Sequence, residues 1–150
     1  MATTIENSTL TVRITEQIDL NGRKLGNTNT HKIKNINEVS ERVITALTTG
    51  TQLITLGAAA GAGTFIRDNV KYIRLTNLDD SNYLRLALTT DSDPVTALHV
   101  KLTALDSFII YNGSANTVID GSAVTFNNIT SIKAWANSAS VDVEVFVASS

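Results

Sequence analysis

The chain has no cysteine, one proline and an aromatic content of only 5%. Without cysteine, neither a disulfide nor a thiolate metal site can form. Charged residues make up 17% of the 150 residues, and the net charge is −2. Nucleic-acid binding needs clustered lysine and arginine, together with aromatic rings where bases stack. The densest basic stretch lacks aromatic residues and is interrupted by Gly, Asn and Thr, so we expect no nucleic-acid partner. That stretch comprises Arg23, Lys24, His31, Lys32 and Lys34.

Long apolar runs are also missing. No run approaches the roughly 20 residues that cross a bilayer as a helix, so we expect no membrane partner. Residues 1–10 are polar and lack the charged start and apolar stretch of a signal peptide. These features predict a chain that is made and folded in a cytoplasm and is not secreted by a signal peptide. The length suits one domain, which we place at residues 9–150 after a flexible arm at residues 1–8.

The dominant pattern is alternation of apolar and polar residues with a period of two. In residues 141–147, valine occupies every second position, with Asp142 and Glu144 between the first three valines. Similar segments occur at 8–20, 70–76, 83–89, 95–102, 107–111 and 122–126. We predict hairpins from 70–76 with 83–89 and from 129–136 with 141–147, because turn-forming residues separate the two segments of each pair. About ten short strands separated by turns indicate an all-β, antiparallel, two-sheet β-sandwich that is jelly-roll-like.

Strand parity also predicts the core, since residues two apart share a face of a sheet. The predicted core residues are Leu10, Val12, Ile14, Leu84, Leu86, Leu98, Val100, Phe108, Val143 and Val145. Pro94 precedes its strand, where it removes no ladder hydrogen bond. Asn21-Gly22 and Asn112-Gly113 are predicted turns.

Residues 37–50 fit two interpretations. Val39, Val43 and Leu47 have helical spacing, with Asn37 as an N-cap and Gly50 as a stop. Read as a strand, Val43, Thr45 and Leu47 occupy every second position and would share one face. The threonine-rich context favours the strand.

No residue pattern specifies catalysis or a cofactor. Residues 57–63 resemble a phosphate-binding glycine loop but lack its GK[ST] ending. His31 and His99 have no ligand partner at metal-binding spacing. The acidic segment 78–82 lacks the order of a calcium loop, so we interpret it as a turn, as we do Asp91 and Asp93. No serine sits in a G-x-S-x-G elbow, and we predict that the protein is not an enzyme.

Two sets of residues remain as candidates for contacts. The small-residue loop would let a partner backbone approach closely; it consists of Gly57, Ala58, Ala59, Ala60, Gly61, Ala62 and Gly63. Tyr111 and Trp135, with Tyr83 as a further aromatic, could instead form a stacking platform for a sugar.

The order of the strand segments resembles that of small jelly-roll virion proteins of tailed bacteriophages, of the marine type. The segments that carry the resemblance are VKYIRLTNLD at 70–79, YLRL at 83–86, KL at 101–102, SFIIYN at 107–112 and the valine strand at 141–147. A weaker similarity lies at 14–26. The resemblance brings no active site with it and does not separate head proteins from tail proteins.

The resemblance implies a non-enzymatic structural protein of a virion, in particular a capsid decoration or accessory protein. Its partners would be copies of itself and other virion proteins such as the major capsid protein. The alternative is a tail- or fibre-associated module that binds a receptor or a carbohydrate. We expect the oligomer to use residues 1–8 and the loop 57–63.

Overall fold

The structure, a computed structural model, describes residues 6–90, 97–111, 116–117 and 127–150. A long hairpin, which we call the ribbon, leads into two packed sheets. Each of the two arms of the ribbon consists of two short strands that follow one another. The ribbon strands are β1 (Ser8–Thr15), β2 (Ile18–Leu20), β3 (Arg23–Leu25) and β4 (Thr28–Ile36). The strands that follow are β5 (Glu38–Ala46), β6 (Thr51–Gly57), β7 (Thr64–Ile66), β8 (Val70–Asn77), β9 (Leu84–Thr90), β10 (Ala97–Leu102), β11 (Ser107–Tyr111), β12 (Asn116–Thr117), β13 (Asn127–Ala136) and β14 (Val141–Ser149).

Eight of these strands have jelly-roll order. One sheet runs β11-β8-β14-β5, and the other runs β10-β9-β13-β6-β7, with β12 beside β13. The antiparallel pairs are β5 with β14, β6 with β13, β8 with β11, and β9 with β10. The first of the eight strands therefore pairs with the last, the second with the seventh, and so on inward, as when one long hairpin is folded over on itself. The all-β sandwich expected from the sequence is confirmed.

The core lies between the two sheets. Burial alternates along β14, where all four valines from Val141 to Val147 are buried. They join a single apolar cluster with the inward-facing residues of β9, which include Leu84 and Leu86. A polar member of the same layer, Asn77, is fully buried, and its amide donates to the carbonyl oxygens of Asn82, Leu102 and Thr103. Because these bonds satisfy a group that burial would otherwise penalise, they hold one end of the sandwich together.

Both predicted hairpins are wrong. Strand β8 lies in the four-stranded sheet and β9 in the other, so residues 78–83 bridge the two sheets. The same is true of β13 and β14, joined by residues 137–140. Turn-forming residues mark a change of direction, but they do not say whether the next strand pairs or crosses to the facing sheet. In jelly-roll order only the innermost pair, β9 and β10, joins consecutive strands of this set.

Two predicted core residues are exposed, Ile14 at 36% and Leu98 at 42%. Leu98 has the inward parity, but β10 is the outermost strand of its sheet among the described strands, so its side chain lies at the margin of the core. Ile14 lies on the ribbon, outside the sandwich. Of the other predicted core residues, Leu84, Leu86, Val143 and Val145 are fully buried, and Val12 is buried at the base of the ribbon. Leu10, Val100 and Phe108 are partly buried against the core clusters.

Residues 38–46 form a strand, so the strand interpretation of this segment is confirmed. The predicted strand at 8–20 divides into β1 and β2, and Ser8, which we had assigned to the arm, is the first residue of β1. Several expectations fall outside the described residues: positions 1–5 of the arm, Asp91, Asp93, Pro94, the Asn112-Gly113 turn and the strand at 122–126. Among the described residues, no helix is long and apolar enough to cross a membrane.

Candidate interaction surface

The ribbon is one continuous amphipathic hairpin. Leu10 pairs with Ile33, Thr15 with Thr28, and Ile18 with Leu25, so the sum of the paired residue numbers stays constant from base to tip. Between β1–β4 and β2–β3, the backbone N–H of Glu16 donates to the carbonyl of Asn27 at 2.8 Å and keeps the register. Facing pairs share a side of a ribbon. One face therefore carries all the large apolar residues of the ribbon, with Glu16, Arg23, Asn27, Asn29 and His31 among them, and the other carries mainly Thr, Arg, Gln and Lys residues. The apolar residues are Leu10, Val12, Ile14, Ile18, Leu20, Leu25 and Ile33.

The tip is a two-residue turn that suits a twisted ribbon. Asn21 and Gly22 have φ angles of 53° and 76°, the pair of positive values that a type I′ hairpin turn needs. A second glycine, Gly26, has a φ of 133°, and a Cβ there would lie 2.0 Å from the carbonyl oxygen of Glu16. Only glycine allows the two strands to approach this closely. The sequence thus specifies the hairpin at both positions.

The base of the ribbon packs on the outer face of the four-stranded sheet. Val12 and Ile36 are buried there with Tyr72 and Ala148, and Phe146 packs against this cluster. The Tyr72 and Phe146 rings meet edge to face, with centroids 5.8 Å apart. This second, smaller core anchors the ribbon to the sandwich.

Within the part of the chain that the structure describes, nothing packs on the distal part of the same apolar face. Every residue from 13 to 32 is exposed. Ile18, Leu20 and Leu25 each leave more than half of their surface in solvent. An amphipathic strand pair that shows its apolar face to water is a common sign of a contact surface.

A cleft of about 270 Å³ opens between the ribbon base and the sheet, lined by Leu10, Thr11, Val12, Arg13, Tyr72, Arg74 and Phe146. Arg74 Nη1 donates to Glu144 Oε2 at 2.8 Å, and this bond lowers the pKa of Glu144. A hydrogen bond between Glu144 and Glu41 raises the pKa of Glu41. Arg74 is thus already paired, and the cleft presents no free cluster of catalytic groups among its lining residues.

The predicted aromatic platform is not assembled. Tyr111 lies on the outer face of the four-stranded sheet, where its ring contacts His31 at a centroid distance of 5.1 Å. Trp135 lies on the outer face of the other sheet. There the Arg85 guanidinium stacks on the indole at 4.5 Å, and a Cβ at Gly50 would lie 2.5 Å from Trp135 Nε1. The two rings therefore face opposite sides of the sandwich, and Trp135 packs as part of its sheet surface.

The small-residue loop joins β6 to β7, which pair in parallel. Ala58, Ala59, Ala60, Gly61, Ala62 and Gly63 are exposed, and Gly57 is half-buried. Thr64 donates its N–H to the Gly61 carbonyl at 3.0 Å and closes the loop. The loop is accessible to a partner, but no structural feature singles out an occupant.

The acidic segment at 78–82 is a turn that is stabilised by hydrogen bonds from its own backbone to the Asp79 carboxylate. Asp79 Oδ1 accepts the N–H groups of Ser81 at 2.8 Å and Asn82 at 2.5 Å. These two bonds lower the pKa of Asp79. Across the described ranges, no three His, Cys, Asp or Glu residues are grouped as metal ligands.

The sequence prediction missed Ile18, Leu20 and Leu25 as contact residues. The available signal is Asn21-Gly22, which is predicted as a turn but without pairing the segments on either side of it. Counting outward from this two-residue turn pairs Leu20 with Arg23 and Ile18 with Leu25, which would have revealed an apolar face beyond the anchored base.

No family model, curated protein or solved structure matches this chain. The architecture is therefore defined by strand order alone, and a jelly roll by itself does not specify a function. Any functional argument must come from the surfaces described above.

Proposed function

We propose that this chain is a non-enzymatic structural subunit that acts by assembling with copies of itself. The observation that carries the proposal is the uncovered apolar face of the ribbon tip, formed by Ile18, Leu20 and Leu25. Burying such a face removes apolar surface from water, which favours association by about 25 cal/mol per Å² before the costs of binding.

The ribbon geometry supports a role in contacts with another molecule rather than in contacts within the chain alone. A two-stranded hairpin is at best marginally stable in water unless it packs on something else. The base satisfies this requirement within the chain, while residues 13–32 remain exposed. A tip that reaches away from its own domain is placed to contact another molecule.

We further propose that the assembly is part of a virion, as a capsid decoration or accessory protein. What supports this setting is the resemblance of the strand segments to those of small jelly-roll phage proteins. Weak contacts repeated over a lattice give strong overall attachment. The partners in that setting are other copies and the major capsid protein.

Self-assembly is tested by measuring the mass of the purified full chain over a wide concentration range by light scattering after size exclusion. We expect a mass that rises above that of one 16.1 kDa chain as concentration increases. A single-chain mass up to several hundred micromolar would overturn the self-assembly proposal.

The virion setting needs a separate measurement. Particles from a lysate that produces the chain are purified on a density gradient and analysed by mass spectrometry. We expect the chain in the particle band at a fixed ratio to the major capsid protein. Its absence from that band, with the chain intact in the soluble fraction, would contradict the virion setting and leave self-assembly standing.

A further inference from the structure

We propose that the ribbon tip of one copy docks, apolar face down, on the outer surface of strand β5 of the next copy. This head-to-tail contact rests on the proposed function, since it specifies which surface of a second copy receives the ribbon. It joins two different surfaces, so each copy offers one donor and one acceptor.

The path of the ribbon fixes the donor side. At its base, Ile36 packs with Ala148 of β14. Five residues earlier on β4, the His31 ring contacts Tyr111 of β11, which is an edge strand of the sheet. The ribbon therefore crosses the outer face toward the β11 edge, and its tip extends beyond that edge.

The acceptor lies at the opposite edge of the same sheet, on β5. Val39 and Val43 point outward there, as shown by their pairing with Ala148 and Glu144 of β14. Each leaves more than half of its surface exposed, and Leu47 just after the strand is 49% exposed. Because donor and acceptor sit at opposite edges, a ribbon cannot reach the β5 of its own chain.

The acceptor continues an interface that the molecule already uses. Ala148 is buried under the base of the ribbon, and its partner across the strand pair is Val39. The same outer face thus receives apolar residues from a ribbon up to β14 and exposes further apolar residues one strand later. The distal apolar face of a second ribbon has the same chemistry as the proximal face that packs beside it.

Spacing and charge are complementary between the two surfaces. On β5, Glu41 lies between Val39 and Val43 on the same face. At the tip, Arg23 lies opposite Leu20 on the apolar face, whereas Lys24 pairs with Asp19 on the polar face. Ile18 lies two residues from Leu20, and Val43 lies two residues from Glu41; two residues of a strand span about 7 Å. When Arg23 faces Glu41, Ile18 can therefore face Val43, and Glu16, which shares the apolar face, lies beyond Val43. An arginine next to apolar residues can pair with a carboxylate between valines, which fixes the direction of docking.

A contact between two different surfaces has a structural consequence. Repetition of a head-to-tail contact gives a closed ring if the rotation closes and a filament if it does not. A two-fold dimer in which the tips meet each other would leave β5 uninvolved. The two arrangements can therefore be separated by substitutions.

The test uses full-length chains and measures mass by light scattering. The donor variant carries Ile18→Asp and Leu25→Asp, which face each other, and its matched control carries Thr15→Asp and Thr28→Asp, a facing pair on the polar face of the same ribbon. The acceptor variant carries Val43→Asp, and its control carries Leu105→Asp, an exposed apolar residue in a turn. All these positions are exposed, so the variants should fold; circular dichroism checks this, and Val43→Ser replaces Val43→Asp if it does not.

We expect the donor and acceptor variants each to run as single chains while both controls assemble like wild type. Mixed together, the two variants retain one intact donor and one intact acceptor, so they should form a complex of twice the single-chain mass. If Val43→Asp and Val43→Ser assemble like wild type, or the mixture stays monomeric, the docking site is overturned and self-assembly stands. A monomeric wild type would instead overturn the proposed function itself.

Discussion

The ribbon (residues 8–36) and the jelly roll (residues 38–150) both alternate apolar and polar side chains with a period of two, but they differ in how far the apolar face is buried. In the jelly roll, the facing sheet covers it, and Leu86 is fully buried. In the ribbon, cover ends near Val12, and Leu20 at the tip is 55% exposed. Each leucine lies two residues after another apolar residue of its strand, with a charged residue between them: Arg85 before Leu86 and Asp19 before Leu20.

The difference shows that alternation reports the amphipathic character of a strand and not its burial. Burial depends on a second element that packs on the apolar face, and the position of that element is set by topology. In this protein the two sheets of the sandwich cover each other's apolar faces, whereas the ribbon packs on the four-stranded sheet only near its base. The remaining apolar surface is the feature that we assign to a second copy.

The largest expected effect comes from substituting the two leucines in parallel. Leu86→Ala should lower the free energy of unfolding by about 2–5 kcal/mol, because it removes buried methyl groups and leaves a cavity. Leu20→Ala should change it by less than about 0.5 kcal/mol at a concentration where the chain is monomeric. Urea unfolding followed by Trp135 fluorescence measures both. Equal effects would show that the tip is buried in the isolated chain.

A smaller effect is expected at the boundary between the two regions. Val12 is 9% exposed in the cluster under the ribbon base. Val12→Ala should cost about 1–2 kcal/mol, since roughly 0.8 kcal/mol is lost for each buried methylene-sized group. Thr11→Ala, its exposed neighbour on the other face, is the control. Trypsin should also cut after Arg13 and Lys32 faster in Val12→Ala. Unchanged cleavage and stability would mean that the base is not anchored.

The smallest effect concerns pH and lies in the jelly roll. Accepted N–H bonds lower the pKa of Asp79 below its ordinary value of 3.8, so the charged group stabilises the fold above that pH. This contribution is lost as pH falls through the lower, folded-state pKa. Asp79→Asn keeps an acceptor oxygen without the charge. We expect it to be less stable than wild type at pH 7, and the difference to shrink below pH 4. Thermal unfolding at several pH values measures this, and a difference independent of pH would contradict the assignment.

Much of the sandwich could be predicted from the sequence because local patterns determine which segments are strands. The valines at 141–147 and the leucines at 84, 86 and 88 were assigned to the correct face. Pairing could not be predicted in the same way. Residues 78–83 and 137–140 look like hairpin turns, yet each crosses between sheets, since the choice of partner depends on non-local packing.

The candidate surface was harder to predict than the fold. Ile14 is predicted in the core because its parity matches that of Val12. Parity carries no information about where along the ribbon the contact with the sheet ends. Tyr111 and Trp135 lie on opposite sides of the sandwich, and this too could not be predicted, because the sequence does not say which strands share a sheet. The ribbon itself was encoded locally, in Asn21-Gly22 and the alternation on either side.

The most direct test of the central claim compares the full chain with one that lacks the ribbon tip. Deleting residues 15–20 and 23–28 joins Ile14 to Asn29 through the original Asn21-Gly22 turn. These two residues already pair, and removing an even number of residues from each strand keeps the hydrogen-bonded type of pair beside the turn. Because the deleted residues are exposed, the unfolding free energy of the monomer should change by less than about 1 kcal/mol. In sedimentation velocity, we predict that the shortened chain sediments as a single copy at concentrations where the full chain assembles. A shortened chain that assembles like the full one would contradict the account.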